Sequence, residues 1–231
     1  LNSDAGLASL QHQRQWVASD LSPAVGASSP IWLLGAAPFD WPESVRSYVP
    51  GRGQCVGLTA GPGADPRVFP PKPAVETLAK EVNAALNRWA EQNAPDDFGW
   101  TSLQINVGTS SEWHFDHRNV GPSLLWIMGD HVGGEFECHG FRPKKFANEV
   151  TLTDGRVWHR NHAAFDGHRV SVVAFTQERF RETSAATAEK LKGLGFRIPT
   201  EEFIQTWRKK VTVDLLENER PQSGVDELRR Q

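Results

Sequence analysis

The 231-residue chain predicts a mainly β domain with flanking helices, an α+β arrangement built around an antiparallel sandwich or barrel. Three observations predict it: short apolar or alternating runs punctuated by turns fill 99 to 177, an amphipathic helix precedes them, and helical patterns close the chain.

In chain order, residues 1 to 19 read as weakly helical. Residues 21 to 72 are interrupted by Pro and Gly, in SPAVGASSP, GRGQ and GPGADPRVFPPKP, and predict short strands joined by long loops. PAVETLAKEVNAALNRWAEQ, 73 to 92, is the clearest helix. Pro near its start suits a first helical turn, and Val75, Leu78, Val82, Leu86 and Trp89 recur at helical spacing. Strands are expected in WTSLQINVG, SLLWIMG, GEFECHG, NEVTLTDG and RVSVVAFT. SAATAEKLKGLG then predicts a helix stopped by glycine, and TEEFIQTWRKKVTVDLL a second one opening on Thr without a full capping box. Helix, strands and helix together imply a β core braced from outside.

Composition excludes several function classes. With 25 basic and 28 acidic residues the net charge is −3, so the molecule as a whole is no electrostatic glove for nucleic acid or an anionic membrane. Any nucleic-acid contact is local. The two compact basic clusters, Arg142, Lys144 and Lys145 in GFRPKKF and Arg208, Lys209 and Lys210, read first as solvated faces. Cys55 and Cys138 cannot form a disulfide framework and lack CxxC spacing, which points to an intracellular rather than a secreted protein. No apolar run approaches the ~18 to 20 residues that span a bilayer, and LNSDAGLASL lacks the regions of a signal peptide.

Seven of the eight histidines lie between 114 and 168, a concentration that suggests metal or acid–base chemistry. In WHFDHRNVGPS, His114 and Asp116 stand two apart. On an extended strand they share a face, with Phe115 turned away, and present an imidazole and a carboxylate together. Iron(II) in oxygenases is commonly held by two His and one carboxylate on one face of an octahedron, so a third ligand is required from elsewhere. His117, three residues from His114, would share its face only on a helix, which the flanking Trp113, Phe115 and Gly121 do not support. In DGRVWHRNHAAFDGHRVSVVAFT, His159, His162 and His168 compete for the third position. Arg169 and Ser171 alternate onto one face of the strand there and can hold a carboxylate by charge-assisted hydrogen bonds, as a dicarboxylate co-substrate would need. Trp113, Phe115, Trp126 and Trp158 are candidates for a dry wall, with at least two of them expected in the core.

Two blocks, HFDHRNVGPS followed by GDHVGGEFE and DGRVWHRN followed by GHRVSVVAFT, resemble the iron(II), 2-oxoglutarate-dependent dioxygenases, and among them the TET/JBP-like branch that oxidises nucleobases. The resemblance spans roughly 100 to 177. It implies a double-stranded β-helix (jelly-roll, cupin-like) core, with His114, Asp116 and His159 as iron ligands. It further implies that Arg169, assisted by Ser171, binds the far carboxylate of 2-oxoglutarate, and that Asn119 contacts the target base or orders the site. The chain departs from the family pattern at Thr153, where Phe usually precedes Asp-Gly, and in the insert His162 to Asp166. His162 accordingly stays in competition for the distal position. On this reading 1–231 is a single oxygenase domain: N-terminal loops and a supporting helix over 1–98, the core with its metal site over 99–180, and a C-terminal helical segment over 181–231.

The implied activity is hydroxylation of a C–H bond with Fe(II) and 2-oxoglutarate as cofactors. The favoured substrate is a modified nucleobase, 5-methylcytosine or thymine, in DNA or RNA, extruded into a pocket. A monomer without membrane contact is expected, with the nucleus as one setting. The same chemistry on a protein side chain or a small molecule is the alternative. A cupin-like binding module without oxygenase activity is a reading of another class; such a module usually offers His-x-His and a later Glu, whereas Asp116 stands in the second position here.

Overall fold

The structure, a computed structural model, describes residues 41–44, 48–60, 66–69, 73–139 and 149–216, with side chains omitted at 165 and 209–216. The helix expected at 1–19 and the basic loop carrying Arg142, Lys144 and Lys145 lie outside the described residues, as do the side chains of Lys209 and Lys210.

Eleven strands are described: β1 Arg52–Thr59, β2 Arg67–Phe69, β3 Ser102–Val107, β4 Ser111–His114, β5 Asn119–Met128, β6 His131–Gly133, β7 Phe136–Cys138, β8 Val150–Thr153, β9 His159–Asn161, β10 Ala164–Gly167 and β11 Val170–Gln177. Helix α1 (Pro73–Asn93) precedes β3, and α2 (Ala185–Gly193) and α3 (Glu201–Leu216) follow β11. The larger sheet runs β2-β1-β3-β11-β5-β8, with every neighbouring pair antiparallel. Opposite it, β4-β9-β7 forms a smaller sheet. The pair β10-β6 prolongs that smaller sheet: across the break, Gly134 N donates to Ala163 O (3.2 Å) and His162 N to Glu135 O (2.8 Å).

From β3 onward the chain passes between the larger and smaller sheets, with β3, β5, β8 and β11 in one and β4, β6–β7 and β9–β10 in the other. This alternation is the winding of a double-stranded β-helix. It explains β5, whose ten residues are all buried. Period-2 alternation sends Leu124, Trp126 and Met128 toward the helices, while Leu125 and Ile127 join Phe136 between the sheets. A strand covered on both faces shows no polar alternation, which is why NVGPSLLWIM reads as one apolar run.

The main core lies between the larger sheet and the helices. Val75, Leu78, Val82, Leu86 and Trp89 of α1 are buried against Val56, Leu58, Leu103, Ile105 and Val172; each such aliphatic side chain contributes roughly 1.5–3 kcal/mol. Buried Asn83 of α1 crosses this core with its polar groups satisfied. It accepts from Trp100 Nε1 and donates to Leu194 O, both at 2.8 Å, tying α1 to the approach to β3 and to the end of α2. The glycine stop expected after α2 is present: Gly195 has φ +82°, and Phe196 N and Gly195 N return to Leu191 O (3.1 Å) and Lys192 O (2.8 Å). Thr200 Oγ1 caps α3 by accepting from Phe203 N at 3.1 Å. The region read as short strands and loops supplies an eight-residue strand, β1, that pairs with β3 over six positions. Cys55 and Cys138 are not joined to each other, and no described helix is long and apolar enough to cross a membrane.

Candidate metal centre

A cavity of about 140 Å³ opens between the two sheets. The larger sheet contributes Gln104, Asn106, Ser123, Ser171, Val173 and Phe175, and the smaller sheet Ser111, His114, Phe136, His159 and Asn161.

His114 and His159 face each other as a registered pair across β4 and β9, with ring centroids 4.3 Å apart. With Asp116 they bring one ligand atom each to within 4.8 Å of one another. Each imidazole is oriented in the same way. His114 Nδ1 lies 2.7 Å from Glu112 O and His159 Nδ1 lies 2.8 Å from Val157 O, in both cases the carbonyl two residues earlier. A carbonyl only accepts, so both Nδ1 atoms carry a proton, and Nε2 is the nitrogen of each ring that a metal would take. Two imidazoles and a carboxylate oxygen are the donor set that suits Fe(II) with open coordination positions, so the residues present fit that ion.

Asp116 reaches this arrangement differently from the expectation of one extended strand. β4 ends at His114, and Asp116 lies in the following turn. Its backbone N donates to Gly155 O (2.6 Å), and its carbonyl accepts from Asn119 N (3.0 Å). Asn119 Nδ2 also donates to Asp116 Oδ2 at 3.3 Å. Asn119 thus braces the carboxylate while lining the cavity. The Gly155 backbone sits against both: a Cβ there would stand 3.1 Å from Asn119 Nδ2 and 3.2 Å from Asp116 Oδ2.

Arg169 is 2% exposed. Its Nε donates to Gly134 O (3.2 Å), Nη1 to Thr109 O (3.4 Å) and Nη2 to Asn161 Oδ1 (3.0 Å). All three acceptors are uncharged, and among the described residues no carboxylate approaches within ion-pair distance. Burial pulls its pKa down to about 10 against a weaker opposing effect of Glu135. The Gly-Gly-Glu sequence has a steric reason here. Gly134 has φ +74°, and a Cβ on it would lie 2.7 Å from Arg169 Cδ. Ser171 lies on the cavity face of β11, as the alternation predicts, and accepts from Asn106 Nδ2 at 3.4 Å.

The other histidines are elsewhere. His162 Nε2 is 2.8 Å from Glu137 Oε2, an oxygen that also accepts from Arg160 Nε (2.8 Å). His117 and His168 are exposed, and none of the three belongs to the converging group. The four aromatic residues considered for a dry wall do not line the cavity. Trp126 is in the core, Phe115 is 42% exposed and meets Trp158 at 4.9 Å, and Trp113 lies under Arg160, with 4.6 Å from guanidinium to ring. The apolar walls are Val49, Leu125, Phe136, Val173 and Phe175.

Of the cavity residues that the sequence reading did not single out, Asn161 and Ser111 form a contrast. Asn161 was accessible to it, because it stands two residues beyond His159 on the same strand face. Ser111 was not. It is three residues from His114, and regular alternation would put the two on opposite faces. A bulge between Ser111 and His114 sets three steps of β4 against two of β9 and turns both side chains inward.

No protein-family model matches the chain, and no curated protein matches it. Among solved structures the chain is similar to NgTET1 in complex with 5mC DNA, at 14% identity and TM-score 0.44 over 61% of this chain and 69% of that one. It is similar to a 2OG-Fe(II) oxygenase family oxidoreductase from Burkholderia pseudomallei, at 19% identity and TM-score 0.46 over 63% and 76%. It is also similar to a Pseudomonas putida prolyl-4-hydroxylase, at 14% and 0.40 over 77% and 88%. These identities and scores are too low to carry a substrate across.

Proposed function

We propose that the protein is an Fe(II)- and 2-oxoglutarate-dependent dioxygenase that hydroxylates a C–H bond. The observation that carries the proposal is the convergence of His114, Asp116 and His159 on the cavity beside a buried arginine that no described carboxylate neutralises. On this reading His114, Asp116 and His159 are the metal ligands, Ser171 binds the co-substrate from the cavity wall, and Arg169 supplies the positive charge behind that wall for its far carboxylate.

With both groups bound, iron(II) and 2-oxoglutarate would supply dioxygen activation coupled to decarboxylation to succinate, delivering one oxygen atom to the substrate. The chain's own residues do the rest. His114 and His159 are each oriented by a hydrogen bond from Nδ1 to the carbonyl two residues earlier, which makes Nε2 the nitrogen a metal would take. Asp116 is fixed by Gly155 and Asn119 before any ion arrives. Asn161, in contact with Arg169, is two residues along β9 from His159, roughly 7 Å away, a span suited to a short dicarboxylate reaching from the metal toward the guanidinium. Leu125, Phe136, Val173 and Phe175 keep water from the reacting centre. The cavity volume is close to the roughly 150 Å³ of a void that takes up benzene, so it holds one small molecule. The oxidised group is then presented at the mouth.

A modified nucleobase, 5-methylcytosine or thymine in DNA or RNA, is the substrate class we favour. Its support is the motif resemblance of the two sequence blocks, and the exposed Phe115, beside Trp158 and His117, offers a surface on which a base can stack. The test is a succinate assay of the full chain with Fe(II) and 2-oxoglutarate, paired with mass spectrometry of nucleosides and of peptides after incubation. Oxidised nucleosides support the nucleobase reading and oxidised peptides overturn it. Asp116→Ala and His159→Ala should each reduce succinate release to the metal-free background, whereas His162→Ala should retain it. Full succinate release by Asp116→Ala would remove the ligand assignment.

A further inference from the structure

The geometry points to Ser111 as a further co-substrate-binding residue, donating its hydroxyl hydrogen to a carboxylate in the cavity at the end of a polarised array that begins at Arg169. This rests on the oxygenase reading above and adds to it a contact on the smaller sheet.

The direction of every hydrogen bond in the array is fixed by chemistry. A guanidinium only donates, so the atom of Asn161 facing Arg169 Nη2 at 3.0 Å is the amide oxygen. The amide nitrogen then faces Ser111 Oγ at 3.3 Å and donates to it. The backbone N of Asn161 donates to the same oxygen at 2.8 Å. Both acceptor positions of the Ser111 hydroxyl are therefore filled, and it can act further only as a donor. Among the described residues nothing accepts from it. Ser111 is buried, and it lines the cavity.

The larger sheet holds a matching arrangement. Gln104 Nε2 donates to Ile105 O (3.3 Å), which identifies its nitrogen, and to Asn106 Oδ1 (3.1 Å). Asn106 Nδ2 is thereby left to donate to Ser171 Oγ. Two serines from opposite sheets thus each receive an amide hydrogen and are left with a hydroxyl hydrogen for the cavity, beside a buried positive charge. A chain of donors polarised from a guanidinium strengthens its last member, and a cavity lined in this way selects an anion over a neutral molecule. Charge from Arg169, which does not line the cavity itself, is relayed through Asn161 and Ser111.

The test is isothermal titration of 2-oxoglutarate into the Mn(II)-loaded full chain, with Mn(II) affinity measured separately by electron paramagnetic resonance. Ser111→Ala should weaken 2-oxoglutarate binding about tenfold and leave Mn(II) affinity unchanged. Ser111→Thr, which keeps the hydroxyl, should bind close to wild type. If Ser111→Ala binds 2-oxoglutarate as tightly as wild type, the Ser111 assignment falls and the oxygenase reading stands. A Thr variant as weak as the Ala variant would locate the loss in packing and also overturn the assignment. If wild type itself takes up no 2-oxoglutarate, the oxygenase reading fails, and this inference with it.

Discussion

Positions without side chains shape the candidate metal centre as firmly as its three converging residues do. Gly155 offers its carbonyl to Asp116 N and leaves the space in which the Asp116 and Asn119 side chains lie. A methyl group there must displace one of them by a few tenths of an ångström, because contacts of 3.1 to 3.3 Å are too short for a Cβ. Gly155→Ala should accordingly lower metal affinity by about 10-fold to 100-fold, the usual cost of disturbing a group that orients a ligand, with little change in melting temperature. Metal titration and thermal denaturation of the same sample check this, and an equal loss in both would make Gly155 a matter of folding alone. Gly134 acts on Arg169 in the same steric way. In the sequence both glycines appear only as members of the blocks GDHVGGEFE and DGRVWHRN, without a steric reason, since the atoms they make room for come from elsewhere in the chain.

At the level of elements, the loop between β8 and β9 is the part that most needs support. It carries Gly155 and leads into His159, and Asp154 anchors it. The Asp154 side chain is fully buried, paired with Arg156 at 2.8 Å, and accepts from Trp207 Nε1 of α3 at 2.9 Å. Helix α3 is seated beside it by Ile204, which packs over Gly121 of β5. Trp207→Phe removes one of the two hydrogen bonds that Asp154 Oδ2 accepts, the other coming from Arg156 Nη2 at 2.8 Å, at a cost of about 1 kcal/mol. The expected outcome is a lower melting temperature together with weaker metal binding, and unchanged metal binding would uncouple α3 from the site. The sequence shows α3 as a helix but does not show that coupling, because a lone Trp at helical spacing also fits ordinary core packing. The strands were legible where alternation is regular, as in RVSVVAFT, where Ser171, Val173 and Phe175 lie on the cavity side. The convergence of His114 and Asp116 was legible too, although the strand ends between them. The bulge in SEWH was not, because neither Glu112 nor Trp113 is a residue type that marks one.

Across the whole molecule, acid sensitivity is expected on the outer side of the smaller sheet. Partial burial pushes the Glu137 carboxyl upward, but hydrogen bonds from His162 and Arg160 outweigh it and hold the group below its ordinary 4.5. With the folded value below the unfolded one, Glu137 adds stability above the ordinary carboxylate range, and that contribution is lost as pH falls through the folded value. Melting temperature followed from about pH 6 to 3 should therefore fall more steeply for wild type than for Glu137→Gln; parallel profiles would show that Glu137 contributes nothing to acid stability. The alternation of the chain between two sheets has a consequence in time. β3 meets its partner β11 only after more than sixty intervening residues, through Val107 and Val170, and such distant pairings are slow to form. During synthesis His114 and Asp116 emerge long before His159, so an early chain would offer a passing metal two of the three proposed ligands and no enclosed site. On the proposed reading the third ligand joins only when β9 zips between β4 and β7, so that metal capture would report the assembly of the smaller sheet.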